Sequence, residues 1–257
     1  MKRILTIMGC LSAAFLINTT SVQAQTAAPA APHWETVAGA GLTVNSGNSE
    51  SIATTLTLDT KKKWESNEVL LGASGGYGKS SSTGNNRSRT TDFAKAYGQF
   101  NHLISERAYF GLRIDGDHDG VSDLAYRVRV SPLVGYYVIK NDKTSLSFDA
   151  GPSFVVEERE ASPTTPRDRQ EYFALRFGEK FEHKLTDTTK IWQTADYIPA
   201  IKDWPDHDVI TGEIGISTAI TPKWDLQAKY QVTYDNGVKF GKECTDTRLI
   251  VSTAYKF

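Results

Sequence analysis

The residues that could do chemistry fall into three groups. Asp115-Gly116-Asp117-His118-Asp119-Gly120 carries the D-x-D-x-D-G opening of calcium loops, which gathers carboxylates around a hard cation while glycine permits the sharp turn. The closing bidentate glutamate is missing, because the twelfth position is Tyr126. The run therefore reads first as a solvated acidic turn on an outer loop, and second as a calcium site on Asp115, Asp117 and Asp119. The histidines form the next group. Hydrolysis needs a nucleophile beside a base. His33 precedes the first strand, while His102, His118, His183 and His207 fall in loops or near strand ends, and no serine joins them in a motif. His207 alone sits in a dense acidic setting, Asp203 to Asp208, which reads as a loop. The chain is expected to be no enzyme and to need no cofactor.

The third group is a charged face. Arg113, Arg127, Arg129, Arg176, Lys229 and Arg248, with Asp149, Glu213 and Asp225, recur on one side of alternating segments. Facing inward in a tube, the arginines could form a basic ladder that attracts anions and sets pore selectivity. They could equally neutralise the carboxylates between them and fill a narrow barrel.

Those residues must be positioned by strands. About twelve period-two segments follow one another. The last is Thr247 to Phe257, where Leu249, Val251, Thr253, Tyr255 and Phe257 share one face and Arg248, Ile250, Ser252, Ala254 and Lys256 the other. Chain ends are usually solvated, so a terminal aromatic on an alternating face argues that this end is built into a sheet. Tyr126 to Val138 makes the longest apolar face, opposite Arg127, Arg129 and Ser131. Pro132 and Pro152 fall in mid-strand, where a missing N–H normally interrupts a ladder, and bulges would be one remedy. Glu179 interrupts the apolar face of Phe173, Leu175, Phe177 and Phe181. The facing of 190–198 stays undecided.

The connections alternate in length. Longer polar loops are expected at 79–90, 115–123, 157–169, 201–208 and 235–245, and short turns at 102–106, 140–143, 185–189 and 221–223. Short turns on one side, long loops on the other, an even strand number and aromatic girdles mark transmembrane barrels. The girdle candidates are Trp34, Trp64, Tyr77, Trp192, Tyr197, Trp224 and Tyr234. A soluble lipocalin-like barrel would put large apolar residues inside. The charged face beside many Gly and Ser residues reads as a wet lumen instead.

Residues 1–24 read as a secretory signal peptide: Lys2 and Arg3, an apolar run from Ile4 to Ile17, and cleavage after Ala24. A lipoprotein reading on Cys10 ranks below simple cleavage. Residues 25–33 read as an Ala/Pro-rich linker, and 34–257 as one barrel domain. Losing Lys2 and Arg3 leaves 27 of 29 basic residues against 30 acidic, a formal charge of −3 and no footprint for nucleic acid. Cys244 alone remains after cleavage, so no internal disulfide is expected.

The terminal strand resembles the closing strand of bacterial outer-membrane barrels, which implies that Tyr255 and Phe257 serve as the signal read by barrel-assembly machinery, after delivery by periplasmic chaperones. The segments Gly39 to Ser49, Tyr126-Arg127, Val134 to Val138 and Leu146 to Pro152 resemble the DUF481 family, whose members are often called salt-induced outer membrane proteins. The resemblance spans about residues 34–257 and implies location in the Gram-negative outer membrane without an assigned activity. The expectation is an all-β, transmembrane, antiparallel up-and-down β-barrel of about 12 strands. It would act as a narrow pore for small solutes or ions, or as an envelope component that responds to salt or osmotic stress. The alternative is a closed-lumen barrel whose loops contact lipopolysaccharide or surface partners, with divalent bridging to lipopolysaccharide at the acidic run.

Overall fold

The computed structural model describes residues 33–46, 51–81, 87–161, 166–238 and 242–257. The expected signal peptide and nearly all of the linker lie outside the described residues. Twelve strands follow in order: β1 (Trp34–Ser46), β2 (Ser51–Trp64), β3 (Asn67–Ser81), β4 (Arg87–Leu103), β5 (Ala108–Asp119) and β6 (Leu124–Lys140). They continue with β7 (Thr144–Arg159), β8 (Asp168–Lys184), β9 (Thr189–Pro199), β10 (Asp208–Ala219), β11 (Trp224–Asp235) and β12 (Thr245–Lys256). Each pairs antiparallel with its neighbours in sequence, and β1 pairs with β12 to close the barrel. The Phe257 N–H then donates to the Thr36 carbonyl at 3.1 Å, so the terminal residue extends the closing seam. No helix among the described residues is long and apolar enough to cross a membrane.

The alternation sets two faces. Leu42, Leu56, Phe110, Ile114, Val134, Phe173, Ile214 and Leu249 are exposed on the outside. Their chain neighbours Thr43, Thr55, Asp115 and Arg248 are buried on the inside. A water-soluble domain would invert this arrangement. An apolar exterior around a polar interior, closed so that no backbone edge is free, suits lipid outside and water or ion pairs inside. Strands of 11–17 residues meet or exceed the roughly 9–11 that a tilted strand needs to cross a bilayer, so several extend beyond it. Small apolar clusters do occur inside, one of Val155, Ala174, Ile198 and Val209, another of Tyr109, Leu133 and Tyr137.

Three expectations are corrected by the strand ends. Asp115 to Asp119 belongs to β5 and not to a loop; only residues 120–123 connect it to β6. Glu157 to Arg159 ends β7, and Asp168 and Arg169 begin β8. Residues 79–81 and 87–90, expected in a loop, extend β3 and β4. At Asp115 to Asp119 and Glu157 to Arg159 charged residues continue the period-two pattern, and an inward charged position was read as the polarity of a loop.

The prolines need no bulge. Val130 pairs with Phe154 and Val134 with Ala150, the same register on either side of an unpaired stretch at 131–133 and 151–153, which sets Pro132 opposite Pro152. Two prolines facing each other remove donors from the same place in the ladder, so the interruption stays within three positions and the register carries across it. Beside it the Ser131 hydroxyl donates to Ser153 Oγ at 2.9 Å, both fully buried. Gly151 sits in this seam because a Cβ there would collide with the Pro132 carbonyl oxygen.

The facing of β9 is also settled. Glu213 pairs with Thr194 and Ile214 with Gln193, which turns Trp192, Thr194 and Asp196 inward and Ile191, Gln193 and Tyr197 outward. Trp192 therefore leaves the expected girdle: its indole N–H donates to Glu213 Oε1 at 2.6 Å inside the barrel. Outside, Gln193 donates to Glu179 Oε2 at 3.0 Å, so the carboxyl that interrupts the apolar face has a partner on the next strand.

Candidate functional site

The polar interior is organised as ion-pair clusters stacked along the barrel. At the end that carries the longer loops, Arg127 on β6 donates through Nε to Glu157 Oε2 at 2.6 Å and through Nη2 to Asp235 Oδ2 at 2.7 Å. Arg159 reaches the same two carboxylates at 3.3 and 2.8 Å. The Tyr172 hydroxyl donates to Glu157 at 3.2 Å, and the His207 ring packs on Tyr172 from the β9–β10 loop. Arg127 is 3% exposed and Glu157 2%. Two guanidiniums thus share two carboxylates out of bulk water, with planar forks that match carboxylate geometry.

Next to it, Arg248 on β12 binds Asp119 on β5, with its guanidinium over the Phe93 ring at 4.4 Å. Arg129 holds Asp117 through Nη2 at 2.7 Å. Arg113 grips both oxygens of Asp115 at 3.0 Å, donates to Gln99 Oε1 at 3.1 Å and lies over Tyr97. Arg176 bridges Asp149 and Asp196. Glu213 takes bonds from Trp192 and from Gln231, with Lys229 at 3.6 Å. Every residue expected on the charged face points into the barrel and is buried or half-buried there.

The acidic run looks different from its expected form. Asp115, Asp117 and Asp119 are inward strand residues, and each is held by an arginine, Arg113, Arg129 and Arg248 in turn. Successive inward positions on one strand are spread along the barrel axis, so these carboxylates do not converge. Among the described residues no group of three or more His, Cys, Asp and Glu side chains is arranged to hold a metal ion.

Several of these bonds cross the lumen. Between β6 and β11 lie four strands on the shorter side of the ring and six on the longer, and the same holds for β5 with β12 and β4 with β11. Arg127–Asp235, Arg248–Asp119 and Lys95–Thr233 join those pairs. Above them, Lys242 of the β11–β12 connection reaches Asp123 at 3.3 Å and the Val121 carbonyl at 2.6 Å, and Ser122 donates to Asp246 at 3.1 Å. The wall β4–β6 is tied to the wall β11–β12 at the long-loop end.

The opposite end is tied locally. Glu68 on β3, 3% exposed, accepts from Tyr137 at 2.7 Å and Asn101 at 3.4 Å and pairs with Lys63 at 3.0 Å. At the rim Trp224, Tyr255 and Phe257 stack edge to face in sequence, the terminal aromatics lying outside. Cys244 is a half-buried free thiol.

Glu157, Arg159, Asp235, Asp196, Lys95 and Glu68 were absent from the expected charged face. The signal that could have found the first three was the strand alternation, which carries on past Val156 and Tyr234 with the same parity.

A family model described as "Protein of unknown function, DUF481" matches residues 38–257. Among curated proteins, none matches the chain. Among solved structures, the NanC porin superposes with a TM-score of 0.54 at 10% identity, covering 87% of this chain and 100% of that one. The translocator domain of the autotransporter NalP from Neisseria meningitidis superposes with a TM-score of 0.50 at 13% identity, over 87% of this chain and 88% of that one. At such identities the likeness is one of fold, and it matches the closed antiparallel barrel described above.

Proposed function

The chain belongs to the DUF481 family, and on that premise we propose that it works as a non-catalytic barrel of the Gram-negative outer membrane whose lumen is closed at rest by ion pairs between opposite walls. The carrying observation is the pair of cross-lumen bonds, Arg127 to Asp235 and Arg248 to Asp119. An ion passing between the walls would have to part guanidinium–carboxylate bonds that are largely removed from water, and breaking a buried pair costs about 3–5 kcal/mol. This favours the closed-lumen alternative over a standing pore.

The narrow-pore reading keeps one observation in its favour. Thr43, Thr55, Gln99, Ser131, Ser153 and Ser217 line the interior beside the charges, so parted pairs would leave a hydrophilic path along the whole barrel. Lipid surrounds the apolar belt, the longer loops face lipopolysaccharide, and Tyr255 with Phe257 are read by the assembly machinery and its periplasmic chaperones. A response of protein level to salt is part of the same proposal, measured by immunoblot after an osmotic shift.

Conductance of the refolded mature protein in planar bilayers tests the reading, with insertion checked by heat-dependent gel mobility. The wild type is expected to be silent, and the double variant Arg127→Ala, Arg248→Ala to show discrete steps. Steps from the wild type at low voltage would overturn closure and restore the open pore.

A further inference from the structure

Beside the cross-lumen pairs, a small cavity of about 40 Å³ is lined by β4, β5, β6, β10, β11 and β12 side chains. Most of its charges are already used: Asp235 holds Arg127, Asp119 holds Arg248, and Asp117 holds Arg129. Two donors are left over. The Lys95 ammonium has Thr233 Oγ1 at 3.4 Å as its polar contact and no carboxylate within salt-bridge distance among the described residues. Arg129 is 7% exposed, spends Nη2 on Asp117, and leaves its Nε–H without a partner among the described residues.

We propose that this cavity is a binding site for one small oxyanion, of the sulfate, phosphate or short carboxylate class, held by Lys95 Nζ and Arg129 Nε. A half-buried ammonium with no salt-bridged carboxylate and a buried guanidinium N–H with no acceptor among the described residues each carry a desolvation cost, and one oxyanion offers acceptors to both. The two side chains come from β4 and β6, strands on either side of β5, whose inward carboxylates Asp117 and Asp119 are already held by Arg129 and Arg248. Four cationic side chains against four carboxylates make the lining formally balanced. Attraction is therefore local to the two free donors, and binding should be selective for ions small enough to reach both. The volume suits a single compact ion and excludes a sugar or a nucleotide. Because the site needs no continuous channel, the inference stands whether or not the barrel conducts.

Isothermal titration of the refolded mature protein with sodium sulfate, at ionic strength held constant with sodium chloride, reads the site directly. One saturable site is expected, weakened at least tenfold in Lys95→Met. Methionine keeps the length of the side chain and removes a half-buried charge that has no salt-bridged carboxylate, so the variant should fold, which heat-dependent gel mobility verifies. Arg129→Lys, which retains charge but loses the Nε donor, should weaken binding by a smaller factor. Absence of saturable binding in the wild type, or equal affinity in Lys95→Met, overturns the proposal. Should the Lys95 variant fail to fold, wild-type crystals soaked in selenate decide the matter: anomalous density between Lys95 and Arg129 supports the site, and density elsewhere or nowhere overturns it.

Discussion

The two ends of the lumen are held by different means. At the long-loop end the bonds run between walls: Arg127 and Arg159 meet Asp235 across the ring, and Arg248 meets Asp119. At the short-turn end Glu68 is served by Lys63, Asn101 and Tyr137, from β2, β4 and β6, with at most two strands intervening. Closure and stiffness are therefore separable. The first set of bonds decides whether the interior is open, and the second braces a sector of wall that the ladder already holds.

The largest effect should come from the crossing bonds. Arg127→Ala leaves Arg159 as the one arginine shared by Glu157 and Asp235, and is expected to destabilise the barrel by about 3–5 kcal/mol in urea unfolding from detergent. A loss below that of any short-turn substitution would erase the contrast between the ends. Glu68→Gln comes next: it keeps the shape and part of the hydrogen bonding, and should cost about 1–3 kcal/mol in the same assay without adding conductance. Channel steps in Glu68→Gln would mean that the short-turn end also gates. Smallest is Glu35→Gln, which removes a rim ion pair with Lys61 whose partners are half-exposed. That change should cost less than about 1 kcal/mol and vanish at high salt.

The barrel itself was readable because lipid imposes one rule on every strand. An apolar residue at every second position, as in Trp224 to Tyr234 and in Thr247 to Phe257, leaves little room for another architecture. The interior was readable only as a face. That Arg127 and Asp235 meet depends on the register of every strand between them and on the walls drawing together, and nothing local to either residue encodes it. Polarity misled in two ways. Asp117, Glu157 and Arg159 look like loop residues because a wet lumen and a solvated loop select the same side chains. Trp192 looked like a girdle residue because β9 is polar on both faces, Gln193 and Thr194 alike, so its parity could be fixed only by its partner Gly215 on β10.

The closing seam has a kinetic consequence. Eleven of the twelve strand pairs join neighbours in sequence, and only β1 with β12 joins residues as far apart as Val37 and Lys256. The largest single loop-closure cost therefore falls on this seam, on the order of 5 kcal/mol by polymer scaling. Until it closes the chain is an open curved sheet with two bare edges, each a template for pairing with another copy. Folding of this molecule is thus a race between its own last strand and its neighbours, and dilution or a chaperone bound at either edge favours the intramolecular partner.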